Sequence, residues 1–219
     1  MDEAEIHEAL ALLSQEERAR HDRFVHARDR RDFAAAHALL RRVLSTYDDT
    51  SPAAWAFEAT PAGKPRIARR EAGGPGLTFS LSHTRGFVAC AVARGMDVGV
   101  DVESIDRGAD GREIARRYFS AAEAARLDAC PDAERAARFV ELWTLKEAYV
   151  KAIGEGLSVP LDGFSFAFDE AGHITLEKPV RERGVYFTFA LMTPSPRTRL
   201  AVAIRSESAA PIRVMASPA

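Results

Sequence analysis

Gly99-Val100-Asp101-Val102-Glu103 alternates apolar and acidic side chains, the period of a β-strand. Val100 and Val102 then face a core, while Asp101 and Glu103 share the other face with their carboxylates about 7 Å apart. Two oxygen donors at that spacing, following a glycine that permits close approach, suit a hard divalent cation. A half-buried strand with a wet acidic face produces the same pattern.

The elements flanking this strand settle the fold class. Upstream, Trp55–Glu58, Leu77–Ser82 and Phe87–Ala93 are short β-branched or aromatic runs separated by Gly and Pro. Before them, Ser14–Leu44 has helical spacing, with Ser14 as N-cap, Glu17 at the capping-box offset and a break near His26. Downstream, Arg112–Phe119, Ser120–Leu127 and Ala133–Ile153 read as helices, the last stopped by Gly154 and Gly156. Phe164–Phe168, Ile174–Glu177, Tyr186–Met192 and Leu200–Ile204 then read as strands, with a hairpin turn at Asp169–Gly172. Helices followed by strands, twice over, predict an α+β fold rather than a parallel βαβ sheet. The repeated order predicts two similar subdomains, 1–100 and 101–219, related by a pseudo-two-fold, with the active site in the cleft between them. Ser206–Ala219 has little pattern and is expected to fray.

Composition narrows the function classes. The chain has 219 residues, 47% hydrophobic and 28% charged, with a formal charge of −2. A chain of this length buries roughly 70% of its unfolded surface and needs no structural metal or disulfide. A charge near zero gives no whole-molecule field for nucleic acid or an anionic membrane, so any anion site is local. The two cysteines, Cys90 and Cys130, have no partner at metal-ligand spacing, and Cys90 reads as a small core residue. Met1–Glu8 is acidic without an apolar h-region, and no run approaches the ~18 apolar residues of a membrane span. These features predict a reduced, cytoplasmic protein.

Three further stretches carry chemistry. In Trp143-Thr144-Leu145-Lys146-Glu147-Ala148-Tyr149-Val150-Lys151, a spacing of four places Trp143, Glu147 and Lys151 on one helical stripe. Glu147 is positioned to complete a three-carboxylate Mg²⁺ site, with Lys151 where a metal-bound phosphate needs a cation; a surface Glu–Lys pair has the same spacing. Phe79-Ser80-Leu81-Ser82-His83-Thr84 runs from a strand into a polar turn whose Ser82 and His83 are able to donate to phosphate, or serve only the turn. Arg18, Arg20, Arg23, Arg28, Arg30, Arg31, Arg41 and Arg42 crowd the first helices, interleaved with acids that make much of this a solvated face, and Gly63-Lys64-Pro65-Arg66 adds a basic loop.

In this order, Gly63-Lys64-Pro65, Phe79–Thr84, Gly99–Glu103 and Trp143–Lys151 with Gly154 and Gly156 resemble the 4′-phosphopantetheinyl transferases of the long, surfactin-synthetase-activating type, from about Leu13 to Phe168. The resemblance implies a Mg²⁺-dependent transfer of the 4′-phosphopantetheine group from coenzyme A to a serine of an apo acyl or peptidyl carrier protein, releasing 3′,5′-ADP. Such carriers serve fatty-acid, polyketide or peptide synthetases. By the same resemblance Asp101, Glu103 and Glu147 hold Mg²⁺ and Lys151 stabilises the leaving nucleotide. Glu147, directly or through a water, is the candidate general base. Lys146 assists at the phosphates, Ser82 and His83 contact them, Lys64 lies beside the adenine nucleotide, and Arg20 and Arg23 take the 3′-phosphate. Thr84 stands where a serine is commoner, and Glu17 where some relatives carry a phosphate-binding lysine. The segment Ser104–Glu123, with Ile105, Arg107, Arg112, Arg116, Arg117, Tyr118 and Phe119, is the implied docking surface for an acidic carrier, with one at least of Tyr118 and Phe119 in the core. With the cleft inside one chain, a monomer suffices, and neither nucleic acid nor membrane is an expected partner. The alternatives are another Mg²⁺-dependent enzyme of nucleotides or phosphate esters, or a non-catalytic Arg-rich binding module.

Overall fold

The computed structural model describes residues 2–68, 76–177 (the Leu157 side chain excepted) and 183–217. Its first helix, α1 (Glu3–Leu12), was not expected from an acidic N-terminus. It is held by a capping box in which the Asp2 carboxylate accepts from Glu5 N at 2.9 Å and the Glu5 carboxylate from Asp2 N at 2.7 Å. The next two helices follow the sequence reading: α2 (Gln15–Asp22) starts at the Ser14–Glu17 capping box, and α3 (Ala27–Leu44) starts after His26. α3 turns Phe33, Ala34, Ala38, Leu40 and Leu44 inward.

Two hairpins complete the first half: β1 (Phe57–Ala59) with β2 (Pro65–Ile67), and β3 (Leu77–Thr84) with β4 (Phe87–Arg94). Then β5 (Asp97–Ser104) pairs with the last strand of the chain. After it come α4 (Gly111–Tyr118), α5 (Ala121–Ala129), α6 (Asp132–Ile153), β6 (Ser165–Phe168), β7 (Ile174–Glu177), β8 (Tyr186–Ser195) and β9 (Thr198–Ser206). The strand order β5-β9-β8 forms a three-stranded sheet, and every strand pair described is antiparallel. That is the α+β class. No helix among the described residues is long and apolar enough to cross a membrane.

β5 divides two cores as its alternation requires. Val98, Val100 and Val102 pack with Ala89, Ala93, Val202 and Ile204. The opposite face lies against α6. A Cβ on Gly99 would stand 1.9 Å from the Ala148 carbonyl oxygen and 2.5 Å from Ala152 N, so only glycine lets helix and strand meet this closely. α6 ends on Gly154 in the left-handed region, φ 75°. Phe139, Leu142, Leu145, Tyr149, Phe164 and Phe166 build the larger core around it. The tail expected to fray instead lays Ile212 and Val214 on the valine face of the sheet; residues 218 and 219 lie outside the described part.

Candidate active site

From Phe139 on, α6 is mostly buried, and Trp143, Glu147 and Lys151 form a half-exposed line along it. The spacing of four thus marks the one stripe of this stretch that opens towards β5. Lys151 Nζ donates to Asp101 Oδ1 at 2.7 Å and to the Val100 carbonyl at 3.0 Å. The four residues expected to carry the chemistry, Asp101, Glu103, Glu147 and Lys151, therefore form one cluster across the β5–α6 contact.

β3 holds the acids from the other side through a face of hydroxyls at every second position. Ser80 Oγ accepts from Val100 N at 3.0 Å. Ser82 Oγ accepts from Val102 N at 3.2 Å and donates to Asp101 Oδ1 at 2.8 Å, and Thr84 Oγ1 donates to Glu103 Oε2 at 3.1 Å. The Ser-x-Ser-x-Thr alternation over Ser80, Ser82 and Thr84 is the sequence signal for this ladder. His83 sits exposed on the opposite face of the strand.

The electrostatics follow from crowding acids in a half-buried place. Burial pushes the Glu147 carboxyl up, and the charge of Asp101 adds to it, against Lys151 and Arg107. Burial also pushes Glu103 up, opposed by Arg107 and reinforced by Asp101. Asp101 Oδ2 is buried with no hydrogen-bond partner among the described residues. Among the described residues no three carboxylate, imidazole or thiol groups converge to hold a metal as they stand. The donor chemistry nevertheless fits a hard divalent cation: three carboxylates, one with an oxygen that has lost water and gained nothing.

Arg107 was expected only in a docking segment. Its Nη1 pairs with Glu103 Oε1 at 3.0 Å, and its guanidinium lies 5.2 Å from the Trp143 ring centre. Its spacing of four from Glu103 was legible, but the chain leaves β5 for a 3-10 turn over Ile105–Asp110, so no helix rule announced the contact. In the same segment Phe119 is core and Tyr118 is exposed, while Arg112 and Arg116 both engage Asp128.

The remaining cations separate. Lys146 turns into the core: its ammonium is fully buried, bonded to Glu123 Oε2 at 2.8 Å and to the carbonyls of Leu161 and Phe164 at 2.7 and 2.8 Å. Burial lowers its pKa against the pull of Glu123. Helical rotation turns it there, since its side chain leaves α6 about 100° from Glu147. Lys64 Nζ donates to the Val98 and Ala152 carbonyls, both at 3.3 Å, beside the C-terminal end of α6. It lines a cavity of about 530 Å³ with Pro65, Ile67, Phe79, Asp97 and Ile153. Arg20 and Arg23 are exposed, without an ion pair among the described residues, Arg20 lying 5.5 Å from the Phe33 ring centre. Glu17 is structural: it accepts from Ser14 N at 2.8 Å and Arg41 Nη2 at 2.7 Å and meets His37 Nδ1 at 2.8 Å. Burial raises the Glu17 pKa, but these bonds outweigh it and bring the carboxyl down to about 2.

Known proteins with similar sequences bear on this geometry. The family model described as "4'-phosphopantetheinyl transferase superfamily" matches residues 97–204, which contain all four clustered residues, and one described as "4'-phosphopantetheinyl transferase, N-terminal" matches residues 2–94. The chain is 32% identical to 4′-phosphopantetheinyl transferase Sfp of Bacillus subtilis over 170 residues, 78% of this chain and 73% of that one. It is 35% identical to 4′-phosphopantetheinyl transferase HetI of Nostoc over 156 residues, 71% of this chain and 65% of the relative's length. Among solved structures, a holo-(acyl-carrier-protein) synthase from Bacillus anthracis in complex with CoA superposes with a TM-score of 0.44 at 17% identity, over 50% of this chain and 96% of that one.

Proposed function

The chain belongs to the 4′-phosphopantetheinyl transferase superfamily, and we propose that it transfers the 4′-phosphopantetheine group of coenzyme A to a serine hydroxyl of an apo acyl or peptidyl carrier protein. The observation that carries this reading is the meeting of Asp101 and Glu103 on β5 with Glu147 and Lys151 on α6 around an unpartnered carboxylate oxygen. Asp101, Glu103 and Glu147 would hold Mg²⁺, which when bound supplies a Lewis acid for the pyrophosphate. Lys151 sits against Asp101 with a half-exposed ammonium, where it neutralises charge developing on the departing nucleotide. Glu147 takes the proton from the serine hydroxyl. The serine oxygen bonds to the phosphorus that carries pantetheine, the bond from that phosphorus to the bridging oxygen breaks, and 3′,5′-ADP leaves with the electron pair.

Ser82 acts by holding Asp101, and His83, exposed on the other face of the same strand, contacts the coenzyme's phosphates. Lys64 and its cavity take the adenine nucleotide, and Arg20 and Arg23 the 3′-phosphate. The halves 1–100 and 101–219 contribute the coenzyme and the metal side of one cleft, their junction falling inside β5, and a pseudo-two-fold relates them. The carrier docks along Ser104–Glu123, where Tyr118 is the exposed aromatic and arginines line α4. A single chain then carries a complete site, consistent with a cytoplasmic monomer.

The test is to incubate the purified chain with coenzyme A, Mg²⁺ and several apo carrier proteins and to weigh the products. A carrier heavier by one phosphopantetheine is the expected result. No increment on any carrier, with tight RNA binding instead, reverses the reading in favour of an Arg-rich binding module.

A further inference from the structure

The three acids differ in what their oxygens already hold. Among the described residues Asp101 holds Lys151 Nζ and the Ser82 hydroxyl on Oδ1, at 2.7 and 2.8 Å, and keeps a buried Oδ2 without a partner, while Glu147 has no hydrogen bond or ion pair. Glu103 has both oxygens occupied, Oε2 by the Thr84 hydroxyl at 3.1 Å and Oε1 by Arg107 at 3.0 Å. The two partners are not equivalent. A hydroxyl on one oxygen leaves the carboxylate's charge available to a cation, whereas a guanidinium neutralises it. Arg107 is also seated: it rests on Trp143, whose ring is fixed by Phe119 and Phe139 with centroids 6.3 and 5.9 Å away. At 54% side-chain exposure it is nevertheless free to move into water without burying a charge.

The geometry points to Arg107 as a latch that competes with the divalent cation for Glu103. Asp101 and Glu147 each keep an oxygen without a partner among the described residues, while both oxygens of Glu103 are taken, one of them by an internal cation. Metal binding then requires the guanidinium to leave Oε1 and swing from the Trp143 face. This inference rests on the reading of Asp101, Glu103 and Glu147 as metal ligands and adds a residue that sets the affinity of that site.

Mn²⁺ binding to the full chain, without coenzyme, measured as free Mn²⁺ by electron paramagnetic resonance, separates the two. Arg107→Gln should bind Mn²⁺ about five-fold more tightly than the parent chain, the scale of one partly exposed ion pair released. Arg107→Lys, which keeps the charge, should stay near the parent value, and Asp101→Ala should not bind. If the parent chain binds through Asp101 and Arg107→Gln binds equally or more weakly, the latch is overturned and the metal reading stands. If neither the parent nor Arg107→Gln shows binding that Asp101→Ala abolishes, the metal reading falls and the latch with it.

Discussion

Two lysines of α6, Lys146 and Lys151, each bond a carboxylate oxygen at 2.7 to 2.8 Å, yet their surroundings differ. Lys146 and Glu123 are both fully buried, and the ammonium has two carbonyls besides, while Glu123 also accepts from Phe166 N at 3.0 Å. Every polar atom of that pair is satisfied, so the pair binds α5, α6 and β6 into one body. Lys151 is 30% exposed, and the carboxylate it meets keeps a second, buried oxygen without a partner. Distance alone does not separate a structural pair from a functional one. What separates them is bonding capacity left over, because an unsatisfied buried oxygen is held at a free-energy cost that a bound ligand removes.

The sharpest way to break this comparison is to remove one partner of each pair. Asp101→Ala should lower transfer to carrier by about 10³-fold, the upper range for losing one preorganised electrostatic element, with a melting temperature unchanged. Near-full turnover of that variant in saturating Mg²⁺ would end the assignment. Lys146→Met strands Glu123 in the core, so it should lose about 3 kcal/mol or more of unfolding free energy by urea titration. Adding Glu123→Gln to it should recover much of that loss. Turnover per folded molecule should stay within a few-fold of the parent, and a specific loss of turnover at full stability would return Lys146 to the phosphates.

A third pairing extends the structural side of the comparison to the N-terminal half. Glu17, Arg41 and His37 join α2 to α3, and Glu17 titrates near 2 rather than at the ordinary 4.5. A carboxyl whose folded value lies below its unfolded value contributes stability that is complete above about 4.5 and is lost as pH falls through about 2. Glu17→Gln keeps the N-cap contact, since glutamine also closes a capping box. It should therefore destabilise by about 2 kcal/mol at neutral pH, after screening is allowed for, and the gap to the parent should close between pH 4.5 and 2. A gap constant across that range would mean that the charge of Glu17 does not matter.

Much of this was legible in the sequence because the signals were local. Alternation gave Asp101 and Glu103 one face, a spacing of four gave Glu147 and Lys151 one stripe, and Ser14 and Glu17 announced a helix start. The surroundings of Lys146 were not local: only the packing of α5 and β6 around α6 reveals Glu123 as its partner. Arg107 reads as a docking residue in the sequence because its contact with Glu103 depends on the 3-10 turn after β5 and its contact with Trp143 exists only once α6 lies on β5. Gly99 shows the difference well. Its freedom was readable as close approach, but the body approaching is the backbone of α6 at Ala148 and Ala152.

The smallest expected effect concerns the surface beyond the site. Asp128 takes Arg112 Nε at 2.6 Å and Arg116 Nη2 at 3.0 Å, both exposed, and these bonds hold its carboxyl below the usual range. Two of the arginines proposed to meet an acidic carrier are thus already shared with an acid of the chain itself. Asp128→Asn releases them without touching the cluster of acids on β5 and α6. At low salt the KM for an acidic carrier should fall about two-fold, because a rim charge acts on encounter, while kcat stays the same. The gain should vanish at about 0.5 M salt, where screening shortens the reach of exposed charges to a few ångströms. A KM insensitive to both the substitution and the salt would move the docking surface away from α4, and leave Arg112 and Arg116 on the structural side of the comparison with Lys146.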